Sequence, residues 1–219
     1  MKYKLLKNDY TDVSHPVTKK PVRLYRVLAL KTFTTKIGEI SEGTIGGFIA
    51  DESNLNQNDS SWLYNMSKIF DNALLIDSVL LDYALVYQNA IVQDSICRLY
   101  ARVFGDVTII ESEISNNVSV SGKGKIERSK LFEYARVSGN VLVDRCIVHD
   151  GVVIRDASKV CNCVLRDTTM ISGVSDIENC QYSGHTIIHN TVAKNETRTT
   201  DVPLEVIQNI FEEGKSAFK

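Results

Sequence analysis

The sequence predicts an all-β solenoid built from stacked seventeen-residue coils, and three observations carry that prediction. The chain repeats itself in steps of seventeen over residues 48–183. Its segments begin at Phe48, Asn65, Asp82, Leu99, Asn116, Glu133, Asp150 and Asp167, and no insertion or deletion is needed to hold the phase. A ninth begins at Gly184 and fades near Lys194. The fourteenth position of the segments is always small, reading Ser61, Ser78, Ser95, Ser112, Ser129, Cys146, Cys163 and Cys180. The fifth, eleventh and sixteenth positions are mostly aliphatic, each followed three or four places later by a small residue. A unit this short has no room for a helical hairpin, so each copy must be one coil of a stack.

The pattern divides each coil into six, six and five residues. That makes three short strands per coil, each sending one branched and one small residue inward on strand alternation. Asn54, Asp71, Gly105, Gly122, Gly139, Asp156, Gly173 and Asn190 recur at the seventh position, as corners with positive φ require. A solenoid exposes raw strand edges unless its ends are covered. Residues 1–47, with their extended stretch over 23–30, are expected to form a β-rich cap before the β-helix of 48–193. Residues 194–200 read as a polar linker. Asp201 as N-cap, Pro203 in the first turn and Leu204, Ile207, Ile210 and Phe211 on one face then predict a C-terminal capping helix within 194–219.

An aliphatic residue followed four places later by a small one resembles the hexapeptide-repeat, left-handed β-helix (LpxA-like) superfamily. Within it the chain is most similar to the YdcK-like branch. The likeness rests on Gly43-Thr44-Ile45-Gly46-Gly47-Phe48-Ile49, on Trp62-Leu63-Tyr64, and on Tyr100-Ala101-Arg102-Val103 recurring as Tyr134-Ala135-Arg136-Val137. Over most of residues 20–190 the resemblance implies a single-stranded left-handed parallel β-helix. That branch brings no activity that transfers residue by residue.

A formal charge of −2 gives no general attraction to nucleic acid or membrane surfaces. The mixed charges over 123–136 read as a solvated ridge, not a nucleic-acid groove. The basic residues of the first thirty read as solvating the cap. Met1-Lys2-Tyr3-Lys4 is not followed by an apolar stretch, so no leader is expected, and the expected location is the cytoplasm. Cys146, Cys163 and Cys180 read as small inward fillers, Cys97 as an inward aliphatic substitute and Cys161 as outward and accessible. All five are expected as free thiols without a metal.

The outward positions of the first strand face carry Met66, Phe70, Tyr83, Leu85, Tyr87, Tyr100, Phe104 and Tyr134, and the next face adds Leu74, Ile76, Ile91 and Ile110. A contiguous apolar patch beyond ~400 Å² normally marks an interface. The expected function is therefore a non-enzymatic interaction or scaffold protein, forming a homo-oligomer or docking a protein partner. Against a foreign target, inhibition by occlusion would be a natural mechanism. The other covering for this patch is the N-terminal cap folding back over it. The alternative function is an acyltransferase of the kind the superfamily contains, with acetyl-CoA as donor and His185 or His189 as general base. These two, like His149, sit at outward positions. The unbroken phase leaves no extruded loop to close over a coenzyme arm, which weighs against that alternative.

Overall fold

The computed structural model describes residues 1–200; the predicted C-terminal helix lies outside them. The chain is a left-handed parallel β-helix of about nine coils. Its three faces are sheets of eleven, eight and nine strands, the first enlarged by the N-terminal hairpin. Neighbouring coils pair seventeen residues apart, as Val86 with Val103, Val92 with Ile109 and Cys97 with Ile114. The predicted inward positions fill the prism: Val103, Ile109 and Ile114 are fully buried, with Ala101 and Val107 beside them.

From coil two onward positive φ occurs at all three corners, not the seventh position alone; Asn54, the seventh residue of coil one, lies in a short 3-10 turn instead and does not adopt it. Asp82, Leu99 and Asn116 adopt it at the first position, and Asp77, Asp94 and Glu111 at the thirteenth. The third corner explains the small fourteenth column. There the amide of Asp94 turns back to the Ile76 carbonyl, and the following N–H needs a different acceptor. Ser78 Oγ accepts from Ser95 N at 2.9 Å, Ser95 Oγ from Ser112 N at 2.9 Å, and Ser112 Oγ from Ser129 N at 3.0 Å. Each hydroxyl also donates to the carbonyl two residues earlier, as Ser112 does to Ile110 at 2.7 Å. Cys146 and Cys163 continue this ladder through sulfur at 3.4 Å. These cysteines are therefore hydrogen-bonding members of the column and not apolar fillers alone. Cys161 is buried, correcting the expectation that it is accessible. Burial raises its thiol pKa and pushes that of Cys97 up to about 12, which keeps both protonated and unreactive.

Two coils depart from strict phase. Phe48 pairs with Lys68 and Leu55 bridges Leu75, each twenty residues on, whereas Trp62 pairs with Val79 at seventeen. Three extra residues therefore lie between Leu55 and Trp62. Ile49 and Leu55, both fully buried, take the inward places that the strict phase assigns to Glu52 and Asn58. The ninth coil is one residue shorter: Asp176 pairs with Val192, sixteen residues on. That coil runs to Thr200, because Thr197–Thr200 pairs with Gln181–Gly184 where a linker was expected.

The N-terminal segment forms β1 (Tyr3–Ser14) and β2 (Pro21–Ala29), an antiparallel hairpin. β3 (Phe33–Thr35) and β4 (Gly38–Ile40) form a second hairpin, followed by β5 (Ile45–Ile49). β2 pairs antiparallel with β5 and so occupies the open edge of the first sheet. Gly46 is required by close approach: a Cβ there would stand 2.7 Å from the Leu63 carbonyl oxygen and 2.7 Å from the Trp62 ring. Phe33 packs edge-on to buried Trp62 with centroids 5.4 Å apart, and Thr35 hydrogen-bonds Tyr64.

The extra residues of coil one grip the chain's start. Gln57 Oε1 accepts from Lys2 N, and the buried Lys2 ammonium donates to Asp59 and to the Ser61 carbonyl. Lys2 is thus structural, and so is Arg26, which donates to the carbonyls of Gly46 and Asn65. Asp77 accepts from the Ser60 amide and hydroxyl, and Asp51 caps the short turn Glu52–Asn54 through Ser53 N. Those donors hold both carboxyls below the usual carboxylate range. A depressed carboxylate stabilises the fold above its unfolded pKa, about 4, and loses that contribution as pH falls through its folded value. The melting temperature is therefore expected to drop as the pH falls below about 4. The drop should shrink in a chain carrying Asp51→Asn and Asp77→Asn, measured by thermal melts across that range.

Candidate functional site: a tyrosine and arginine trough on the first face

The outward side of the first face carries two aromatic rows with different fates. At position six, Phe70, Tyr87 and Phe104 stack with centroids 5.3 and 5.0 Å apart. The far end of the β1–β2 hairpin folds over this row. Leu24 is buried against Phe48, Phe70 and Tyr87, with Val13 and Val22 packed alongside. His15 stands edge-on to Phe70 at 5.7 Å and to Tyr87 at 5.9 Å, and its Nε2 reaches Asp71 Oδ2 at 3.0 Å. Phe70 and Tyr87 are consequently buried within the chain and cannot be presented to a partner, which corrects their inclusion in the predicted patch. Met66, Leu85 and Phe104 are half-buried at the same cluster. Leu74, Ile76, Ile91 and Ile110, on the second face, are also half-buried.

The row at position two stays open. Tyr83 and Tyr100 are each 53% exposed and Tyr134 is 62% exposed. Tyr83 and Tyr100 stack with centroids 5.1 Å apart and planes 3° from parallel. The next rung is Asn117, and Tyr134 follows one coil later. Between the rows, position four reads Arg102, Ser119, Arg136 in the same coils. These residues enclose a trough of about 530 Å³, floored by Asn117, Ser119 and Ser121 and walled by Tyr100, Arg102, Tyr134 and Arg136. Tyrosine hydroxyls, guanidinium forks and short hydroxyl and amide groups there can stack a planar group, pair an anion and hydrogen-bond a backbone.

The sequence reading named Tyr100 and Tyr134 but missed Arg102, Asn117, Ser119, Ser121 and Arg136. The signal was present: Tyr-Ala-Arg-Val recurs at a spacing of two coils, around a coil whose outward residues on the first face, Asn117, Ser119 and Ser121, are all short.

The candidate histidines lie elsewhere. His185 and His189 are on coil nine, three coils or about 14 Å beyond Tyr134 at the usual strand spacing. Thr168 Oγ1 contacts His185 Nδ1. Asn190 Nδ2 donates to His189 Nε2 at 2.8 Å, so Nδ1 carries the ring proton and donates to Ser172 Oγ at 3.0 Å. Both ring nitrogens of His189 are thus already hydrogen-bonded within the coil stack. His149 packs on Phe132 with centroids 5.0 Å apart. On the 123–136 ridge, Lys125 pairs with Glu127 at 2.7 Å and Arg128 with Asp144 at 2.7 Å. Among the described residues no helix is long and apolar enough to cross a membrane. No family model and no curated protein matches the chain.

Proposed function

We propose that this chain is a rigid, non-enzymatic interaction or scaffold protein of the cytoplasm, related to the YdcK-like branch of the hexapeptide-repeat proteins. Its working surface is the open tyrosine and arginine part of the first face, used to assemble copies of the chain or to occlude a protein partner. One observation supports this above the others. The chain covers the aromatic row at position six with its own hairpin and leaves the row at position two more than half exposed. Exposed tyrosines beside arginines are the residue types that dominate interface energetics.

The test replaces Tyr83 and Tyr100 together by Asp. Sedimentation velocity of the purified chain should show a smaller assembly, or a defined partner complex should be lost, with circular dichroism unchanged. If the assembly mass and the partner complex both survive, this face is not the interface.

A further inference from the structure

We infer that the trough receives an extended peptide segment bearing an aromatic residue and, two residues further on, an aspartate or glutamate. The ring fills the missing rung above Asn117, and the carboxylate lies between Arg102 and Arg136. This rests on reading the first face as an interface and names the chemistry of its partner.

Three features lead to that occupant. The tyrosine ladder has one vacancy. Tyr83 and Tyr100 already stack at 5.1 Å, and Tyr134 stands two coils beyond Tyr100, about 10 Å at the strand spacing. A single inserted ring would therefore meet Tyr100 on one side and Tyr134 on the other at the distance the ladder already uses.

The second feature is charge. Arg102 and Arg136 are exposed and border the trough. Arg98, Arg128, Arg145, Arg155 and Arg198 all pair with carboxylates. Among the described residues Arg102, Arg136 and Arg166 have no such ion pair, and of these Arg102 and Arg136 border the same trough. Two guanidiniums facing one gap suit a carboxylate, which each can bind through a fork of N–H donors.

The third is spacing. Positions two and four of a strand point the same way about 6.7 Å apart. An extended peptide laid along coil five repeats that interval between its own residues i and i+2. Ring and carboxylate then drop into adjacent gaps, and Ser119 and Ser121 are short enough to let the backbone approach. A nucleic-acid strand is disfavoured, because the position-four row loses its charge on either side, at Leu85 and Val153.

The experiment titrates the whole chain into a fluorescein-labelled Gly-Ser-Phe-Thr-Glu-Ser-Gly peptide, read by fluorescence anisotropy to millimolar protein. A second peptide has Lys in place of Glu. Saturable binding of the Glu peptide is expected, at least tenfold tighter than the Lys peptide. Asn117→Tyr should complete the ladder and abolish binding, with its melting temperature unchanged or raised. A chain with Arg102→Glu and Arg136→Glu should reverse the preference and bind the Lys peptide better, which keeps the test decisive if the first variant misfolds. Equal binding of both peptides, retained binding in Asn117→Tyr, or no binding of the Glu peptide would overturn the inference. If the Tyr83 and Tyr100 double replacement still disrupts assembly in that case, only the peptide assignment falls and the interface reading stands.

Discussion

Replacing Gly122 by alanine is expected to destabilise the chain by about 3–5 kcal/mol, combining backbone strain at a forbidden φ with a backbone clash. Gly122 sits at a first-to-second-face corner with φ +97°. A Cβ there would stand 2.5 Å from the carbonyl oxygen and 2.6 Å from the amide nitrogen of Gly139. That carbonyl cannot step aside cheaply, because it accepts from Lys123 N at 2.9 Å. Gly105 and Gly139, in the coils on either side, have φ +92° and +93° and the same crowding. Where the corner carries a side chain, the backbone differs: Asp71, Gln88 and Asp156 hold φ between 57° and 69°, inside the left-handed region that L-residues can reach. Gly151→Ala is the matched control. Its Cβ would meet nothing nearer than 3.5 Å, so its cost should stay below about 1 kcal/mol. Urea unfolding of the two variants separates them, and equal midpoints would show that this corner tolerates a side chain.

The same stacking logic explains why the coil was legible in the sequence and the site only partly so. A solenoid repeats its environment every seventeen residues, so burial writes itself as columns, and the fifth, eleventh, fourteenth and sixteenth positions could be assigned without coordinates. Coil one broke the pattern because it answers to the cap. Gln57 and Asp59, in its extra residues, bind the chain's start, and the shift places Ile49 where the columns point to Glu52. The N-terminal cap was legible as one possible covering for the first face, but not that it would bury Phe70 and Tyr87 and spare Tyr83 and Tyr100, because Val13, His15 and Leu24 make their contacts far along the chain on a face no period describes. The trough was hidden for the opposite reason. Its floor is defined by what Asn117, Ser119 and Ser121 lack, and a run of small outward residues along one coil looks like ordinary solvent surface. Only the paired arginines and the stacked rings on either side give that absence a shape.

The fourteenth column makes a second large prediction, and its chemistry can be separated from its size by a series at Ser112. Alanine there removes the only hydrogen-bond acceptor that Ser129 N finds among the described residues, at 3.0 Å, in a buried place. Leaving that amide unsatisfied should cost about 1–3 kcal/mol. Leucine removes the same acceptor and also overfills a position whose stacked neighbours are Ser95 and Ser129, adding about 1–3 kcal/mol. Cysteine should be the mildest replacement, within about 1 kcal/mol, because Cys146 and Cys163 already serve as acceptors in this column with slightly longer contacts. The expected order of urea midpoints is therefore wild type, Cys, Ala, Leu. If alanine proved as stable as serine, the column would be small for steric reasons alone and the hydroxyl ladder would carry no net stability. If leucine cost no more than alanine, the prism would have to relax at this corner, and the tight stacking that holds the open face in register would not be set by this column.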